Sequence, residues 1–536
     1  MFNVRKSHLI ILVIFPILLL IYLTRFPTVY IDEMWHIDTG WTFATTGRLA
    51  VSAYGDTFGC NLVNFQPPVF NLMMGFWLKL FGLGLFQARL LIVVIAAIIL
   101  FFTYLIAKSI YNEKVGILSA VLLFFSWFSL FRYTRYDIPL ALFFLIGFYL
   151  FLKADDKKNR YIMYFLSGFF CGLSSITHLY GGIGAISILV LFLARYKFSG
   201  FFRKELALFT AGITIPLSIY GIYLYSYYPI IKNQATIFAG GRFGIFSPNF
   251  YLYNVMQEIK RWIIYLPFLP LTFSLVAFLI LYRKKWKEHS SILIIIFTFL
   301  ILFSIFVQNK TFLYLAPVVP FIAIASSILW MDIWEKNKGF LVTNFHISRE
   351  SLRRIFGLIL ILIIILRPCH VLYRVWYKYG LKESNLNTYL QNLGKYIPPN
   401  SVVLGQYAYW IGFPNNIYYE EFMVTAMKRV YHMKFSGVVK KKKIEYIIVD
   451  ETLLHYQQDP NIEPFLNTHC TLVGSVKNKL YSNYPGYGTE DDGITRIYKV
   501  HLEDSVGATF HGCAFRGWRW NPSPMPDSLR KQGLHL

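Results

Sequence analysis

Residues 88–110 read ARLLIVVIAAIILFFTYLIAKSI, and no charged side chain occurs between Arg89 and Lys108. A helix needs about 20 apolar residues to cross the roughly 30 Å hydrocarbon layer of a bilayer. This stretch is therefore predicted to span a membrane. Similar apolar runs recur from Leu9 to Leu366, so this part of the chain is predicted to be a polytopic α-helical membrane protein.

The composition of the whole chain supports the same fold class. Of 536 residues, 56% are hydrophobic and only 15% are charged, which is too few to cover a soluble protein of this size. The formal net charge is +24. The basic residues stand in short loops between apolar runs, where they determine membrane topology. The lipid bilayer is therefore the predicted partner, and nucleic acid is not.

The pattern predicts eleven transmembrane helices and their orientation. The spans lie near residues 8–25, 88–110, 115–133, 138–153, 161–179, 182–196, 205–226, 262–282, 290–307, 311–331 and 354–370. Lysine and arginine collect in alternate loops, and cytoplasmic loops are enriched in them. We therefore expect a multi-pass protein of the plasma (inner) membrane, with a cytoplasmic N-terminus and an external, or periplasmic, C-terminal region.

Three regions follow from this pattern. Residues 1–370 form the membrane domain with external loops 26–87 and 227–261, residues 371–503 form an external soluble α/β domain, and residues 504–536 form an irregular tail. The α/β prediction rests on apolar strands at 401–404 and 446–449 that alternate with polar helical stretches. In the first loop, apolar residues at helical spacing after Pro67-Pro68 predict a helix on the membrane surface. The aromatic loop 227–261 is either a lid or part of the interfacial aromatic belt.

Ionisable residues occur at the external ends of several predicted spans. They are Asp32, Glu33, Arg132, Arg135, Asp137, His178 and Lys310. Any one of them alone could stand in interfacial water. Because the topology brings five separate segments to one face, and a buried charge is costly near a bilayer, the set predicts a shared polar cavity. Asp137 either binds an acceptor there or holds Arg132 or Arg135 in place.

Several motifs resemble the GT-C glycosyltransferases, most closely the protein O-mannosyltransferase and aminoarabinose-transferase branch. The matching segments are residues 30–36 (YIDEMWH), Gln66-Pro67-Pro68, residues 79–82 (KLFG), Arg89-Leu90, residues 132–137 (RYTRYD), residues 177–182 (THLYGG) and residues 308–314 (QNKTFLY). Gln66 and His178 stand where aminoarabinose-type members often have lysine.

The resemblance implies transfer of a sugar from a polyprenyl-phosphate donor to a hydroxyl acceptor, which is a protein, a lipid or a glycan. Asp32 matches the general base and Glu33 its neighbour on the acceptor side. Arg132, Arg135 and Lys310 would bind the phosphate, since cations suit phosphate oxygens. Tyr314 would add a hydroxyl donor, and Gln66 and His178 would contact substrate. Direct attack by the hydroxyl would invert the anomeric carbon.

Histidine and cysteine residues were also considered as metal ligands and as disulfide partners. His36 could tune Asp32, bind a divalent metal ion, or simply fill an aromatic interface, and no cofactor is assigned with certainty. Five cysteines show no zinc or redox spacing. Cys470 and Cys513 would lie in an oxidising compartment under this topology, where they could form a disulfide with each other.

Two other function classes remain open at this point. A secondary transporter also has many spans and membrane-embedded charges, although transporters commonly show paired repeats and broken helices near the midplane. A non-catalytic assembly protein could be built on the same architecture. Sugar transfer by the purified protein distinguishes these classes.

Overall fold

The computed structural model describes residues 10–25, 27, 29, 31–128, 130–154, 159–239, 248–264, 269–307, 312–335, 354, 358, 373, 385–450, 453–454, 459–477 and 493–501. Lys310, Cys513, the tail 504–536 and almost all of the predicted span 354–370 lie outside these residues. The proposed Cys470–Cys513 pairing therefore stays a prediction.

Helices dominate the chain up to residue 335. In chain order they are α1 (Phe15–Leu20), α2 (Ile31–Thr46), α3 (Pro68–Phe81), α4 (Leu85–Ile110), α5 (Glu113–Trp127), α6 (Asp137–Ala154), α7 (Arg160–Ser175), α8 (Gly182–Tyr196), α9 (Lys204–Ser226), α10 (Tyr228–Ala239), α11 (Pro248–Ile264), α12 (Leu269–Leu281), α13 (Ser290–Phe306) and α14 (Val319–Glu335).

The described residues contain four helical segments that are long and apolar enough to cross a membrane. They are Leu85–Ile110, Asp137–Ala154, Leu179–Phe202 and Lys204–Ser226. Shorter apolar helices, among them Ser290–Phe306 and Val319–Trp334, occupy other predicted spans. The helical membrane class is thus supported, while the number of eleven spans and their orientation stay predictions.

The first predicted loop, 26–87, contains a tight helical pair, α2 and α3. A helix is observed after Pro67-Pro68 as α3, and its position on the membrane surface stays a prediction. A Cβ atom on Gly40 of α2 would lie 2.6 Å from Met74 Cγ, and one on Gly75 of α3 would lie 2.8 Å from the Gly40 carbonyl oxygen. Only glycine at these two positions permits such close packing. The pair fixes the direction in which the N-terminus of α2 points.

The second predicted loop, 227–261, is largely helical within its described residues, and its role as a lid or as part of the aromatic belt stays a prediction. Helix α10 ends at Ala239 and α11 begins at Pro248. The glycines Gly240 and Gly241 lie outside the described residues. Gln234 of α10 joins this region to the first loop, because its amide donates to the carbonyl oxygens of Phe58 and Val63 and accepts from the Phe65 N–H.

Residues 385–501 contribute one mixed sheet with helices. The strands are β1 (Val402–Gly405), β2 (Ile417–Glu420), β3 (Tyr446–Val449), β4 (Cys470–Lys477) and β5 (Ile494–Val500), and the helices are α15 (Leu386–Gly394), α16 (Glu421–Tyr431), α17 (Phe435–Lys442) and α18 (Ile462–His469). The strand order is β2-β1-β3-β5-β4, parallel from β2 to β3 and antiparallel from β3 to β4. The turn Ser52–Tyr54 of the first loop packs against the edge strand β2.

Candidate active site

An accessible carboxylate at the start of α2 is the centre of the candidate site. Asp32 lies in the first turn of α2, where the helix dipole favours negative charge. Its side chain is 41% exposed, and one oxygen accepts from Arg135 Nη1. Arg135 is itself almost fully buried, and its Nε donates to Asp137 Oδ2 at 2.8 Å. Asp32 is therefore open to solvent on one side and held by a fixed cation on the other.

Asp137 is the buried support of that cation. It is the first residue of α6, it is fully buried, and it accepts a second hydrogen bond from the Tyr180 hydroxyl. The structure therefore favours one of the two roles that the sequence left open, in which Asp137 holds Arg135 in place.

Glu33 points away from the accessible side of the site. It is fully buried and makes a two-point ion pair with Arg89 of α4, with Nε–Oε1 at 3.0 Å and Nη2–Oε2 at 2.7 Å. The Thr134 N–H donates to the same carboxylate at 2.9 Å. Arg89 also donates to the carbonyl oxygens of Leu23 and Pro27. Glu33 thus ties the end of the first apolar segment, α2, α4 and the Arg132–Asp137 turn together.

An aromatic wall stands beside Arg135 and Asp137. Tyr136 and His178 are half-buried and stack with ring centroids 4.3 Å apart. The centroid of the His178 ring lies 4.4 Å from that of Tyr180, and the Tyr180 centroid lies 4.8 Å from that of Tyr314. The structure therefore brings His178 and Tyr314, both named from the sequence, to the same cluster as Asp32 and Arg135. The exposed parts of Tyr136 and His178 offer flat apolar area next to a carboxylate and a cation.

His36 lies one turn after Asp32 and is buried among aromatic rings. Its Nδ1 is 2.9 Å from Asn71 Oδ1, and its ring meets Phe70 at 4.8 Å and Tyr136 at 5.2 Å. Burial lowers the pKa of His36 to about 4, against smaller opposing effects of Asn71 and Asp32. The imidazole is thus neutral near pH 7. Across the part of the chain that the structure describes, no group of three or more His, Cys, Asp or Glu side chains is arranged to hold a metal ion.

Two other sequence-predicted residues have different surroundings. Arg132 is buried, donates to the Ile21 carbonyl oxygen, and lies over the Phe128 ring at 5.4 Å. Gln66 is half-buried in the turn before α3, where its N–H donates to Asn64 Oδ1 at 3.1 Å. The described contacts connect neither residue directly to Asp32.

Arg261 of α11 is a cation that sequence reasoning did not select. Its side chain is 2% exposed and pairs with Glu258, and its guanidinium carbon lies 5.2 Å from the centre of the Phe303 ring. The Phe303 ring in turn lies 5.6 Å from the Tyr180 ring, between centroids, which places Arg261 beside the aromatic wall. The sequence signal was an i,i+3 Glu–Arg pair just before a predicted span, which on its own is common on helix surfaces.

Asp38, also missed, lies further along α2 and faces the sheet domain of residues 385–501. It is fully buried, and Tyr407, from the short helical turn Tyr407–Gly412, donates to its Oδ2 at 2.9 Å. Burial raises the pKa of Asp38, while hydrogen bonds from Ser52, Ala53 and Tyr407 oppose this rise. The three carboxylates of α2 therefore face three different surroundings.

Comparison with known proteins supports the resemblance stated from the motifs. Residues 65–224, less than a third of the chain, match the family described as dolichyl-phosphate-mannose-protein mannosyltransferase. No curated protein matches the sequence.

The fold is similar to that of ArnT from Cupriavidus metallidurans. The crystal structure of that protein bound to undecaprenyl phosphate aligns with a TM-score of 0.62 at 13% identity, covering 92% of this chain and 98% of that chain. The apo crystal structure aligns with a TM-score of 0.59 at 13% identity, covering 90% of this chain and 96% of that one. The resemblance to GT-C polyprenyl-phosphate-sugar glycosyltransferases is thereby confirmed.

Proposed function

We propose that the chain is a membrane glycosyltransferase that moves a sugar from a polyprenyl-phosphate donor to a hydroxyl acceptor on the non-cytoplasmic face. The observation that carries the proposal is the accessible Asp32 carboxylate, held by buried Arg135 beside an aromatic wall. The family match and the shared fold add independent support.

Asp32 is the proposed general base. It accepts the proton of the acceptor hydroxyl while the acceptor oxygen bonds to the anomeric carbon. The bond from that carbon to the phosphate oxygen breaks, and the phosphate leaves with the electron pair. Because one displacement occurs at the anomeric carbon, its configuration inverts. A phosphorylated lipid is already a good leaving group, so one carboxylate and a cationic site suffice, whereas glycoside hydrolases use two carboxylates.

Cations around Tyr314 form the proposed phosphate site. Arg135 and Arg261 both interact electrostatically with Tyr314 from different elements. Lys310, four residues before Tyr314, is included on the sequence motif alone. Guanidinium and ammonium groups stabilise charge that develops on phosphate oxygens in a partly dry site. The ArnT crystal structure with undecaprenyl phosphate supports a donor lipid of this class.

Other residues complete the proposal. The half-buried faces of Tyr136 and His178 would pack against the donor sugar. Glu33 fixes the position of Asp32 through the buried ion pair with Arg89. Gln66 and Arg132 stay candidates for substrate contact on the family motif. Mass spectrometry of lipid-linked sugars and surface glycans in cells lacking this chain would identify the sugar and the acceptor.

The test is sugar transfer by the purified protein in nanodiscs, comparing wild type with Asp32→Asn. The amide keeps the shape of the carboxylate but cannot act as the base, so transfer should fall by about 10²–10⁴-fold while donor binding persists. Glu288→Gln is the matched control, because Glu288 is also an exposed carboxylate paired with a cation, Lys285. Near-normal transfer by Asp32→Asn would refute the assignment of the base. Absence of transfer by the wild type would favour the transporter or assembly classes.

A further inference from the structure

The external domain contacts α2 through a buried hydrogen-bond network centred on Asp38. Asp38 Oδ1 accepts from the Ser52 N–H at 3.0 Å, the Ser52 hydroxyl at 2.6 Å and the Thr42 hydroxyl at 3.1 Å. Oδ2 accepts from the Ala53 N–H at 2.9 Å and the Tyr407 hydroxyl at 2.9 Å. A carboxylate with this many donors has a single well-defined orientation.

Trp410 extends the network from the external domain. Its Nε1 donates to the Ser52 hydroxyl at 3.0 Å, and that hydroxyl in turn donates to Asp38. Tyr407 also packs edge-on against Trp35 of α2, with ring centroids 6.3 Å apart. The turn Tyr407–Gly412 of the external domain therefore contacts α2 directly through Tyr407. It also contacts α2 indirectly, because Trp410 binds Ser52 in the loop that follows α2.

Contacts beyond Asp38 hold the loop and the domain in one arrangement. Gly55 has a φ of +54°, and a Cβ atom there would lie 2.7 Å from the Tyr419 ring of β2. Phe58 stacks on Tyr431 of α16 with centroids 5.6 Å apart. Lys442 pairs with Asp56. The external domain is thus in close contact with the loop over several segments, which limits its motion relative to α2.

We propose that the external domain positions the helix that carries Asp32, and that Asp38 is the positioning residue through which it acts. Asp38 lies six residues after Asp32, which is about 9 Å along a helix. Glu33 ties the N-terminal end of α2 to α4, and Asp38 ties its middle to the external domain. The direction of the Asp32 side chain depends on both attachments. This inference rests on the proposed function in taking Asp32 as the base.

Two tyrosines in one short turn provide a matched test. Tyr407 and Tyr409 are both buried, and each donates its hydroxyl to a buried carboxylate, Asp38 in the first case and Asp450, at 2.6 Å, in the second. Only Asp38 lies on α2. Tyr407→Phe and Tyr409→Phe therefore remove the same chemical group, but only the first loosens the attachment of α2.

The experiment measures sugar transfer and donor binding of both variants in nanodiscs. A misplacement of about 1 Å can cost on the order of 100-fold in rate, so Tyr407→Phe should lower kcat by about tenfold or more with donor affinity unchanged. Tyr409→Phe should keep the wild-type kcat. Equal kcat values for the two variants would overturn the proposal. If Tyr407→Phe does not fold, Trp410→Phe removes the indirect link instead and should show the same split between kcat and donor affinity.

Amide hydrogen exchange separates this inference from the proposed function. Exchange of residues 31–46 should be faster in Tyr407→Phe than in wild type and unchanged in Tyr409→Phe. This result supports the attachment of α2 even if the wild type transfers no sugar, an outcome that would count only against the proposed function. Unchanged exchange of residues 31–46 in Tyr407→Phe would overturn the inference whatever the activity.

Discussion

Removal of Arg89 should destabilise the protein strongly, because it leaves the Glu33 carboxylate buried without its cation. Arg89→Met breaks both hydrogen bonds of the ion pair and also the two bonds to the carbonyl oxygens of Leu23 and Pro27. Loss of one partner of a buried pair costs about 3–5 kcal/mol. We expect the upper part of this range, since Glu33 is fully buried.

The free energy of unfolding is measured by thermal or denaturant unfolding of the purified protein in one detergent. Glu33→Gln with Arg89→Met removes the charge as well as the cation, so the double variant should be more stable than Arg89→Met alone. Lys285→Met is the control, because Lys285 pairs with Glu288 and both side chains are more than half exposed. A pair of that kind contributes about 0–1 kcal/mol.

The same variants decide the role of Glu33. If Glu33 only supports the structure, Glu33→Gln lowers stability and the kcat of the folded fraction stays within about tenfold of wild type. A Glu33→Gln protein of native stability with a 100-fold lower kcat would refute this reasoning. Glu33 would then act in the chemistry, as the family motif alone implies.

Three further predictions concern the donor site, pH and topology. Arg261→Leu should weaken binding of a polyprenyl phosphate by about 1.5–3 kcal/mol, whereas Lys285→Ala, at an exposed and distant lysine, should not; equal affinities would remove Arg261 from the site. Burial raises the pKa of Glu420 to about 8. The folded state therefore keeps a proton that the unfolded chain releases near pH 4.5, and stability should fall from pH 4.5 to 8 by at most about 5 kcal/mol. Glu420→Gln should flatten that slope in melting experiments, and an identical slope in both proteins would contradict the assignment. Single cysteines substituted for Lys157 and Lys285 should be labelled from the cytoplasmic side, and those substituted for Gln308 and Glu451 from the opposite side. Labelling of position 451 from the cytoplasm would contradict the predicted topology.

Local patterns predicted the elements that depend on local chemistry. The uncharged run at 90–107 lies within α4, and the apolar segment 446–449 forms β3, because continuous apolar sequence specifies burial without help from distant residues. The topology also predicted that Asp32, Arg135 and Asp137 would meet. Positive charge in alternate loops was sufficient for that inference.

The rest of the site depends on partners far apart in the chain. The family motif predicted Glu33 as the acceptor-side neighbour of the base, but its environment is set by Arg89, 56 positions away. Asp38 meets Tyr407 across 369 positions. Arg261 reaches the aromatic wall only because α11 packs beside α13. No spacing rule in a single sequence relates such residues, so sequence alone could not distinguish the accessible carboxylate from the enclosed ones.

The packing of Ser52–Tyr54 against β2 has a practical consequence for work with the external domain. Strand β2 is at the end of the sheet and pairs only with β1 among the described strands. An uncovered edge strand is a template for pairing with other chains. A fragment that begins near residue 385 would lack its cover and should self-associate through β2. Fusing residues 48–65 to that fragment should yield a monodisperse domain suited to crystallisation or antibody selection.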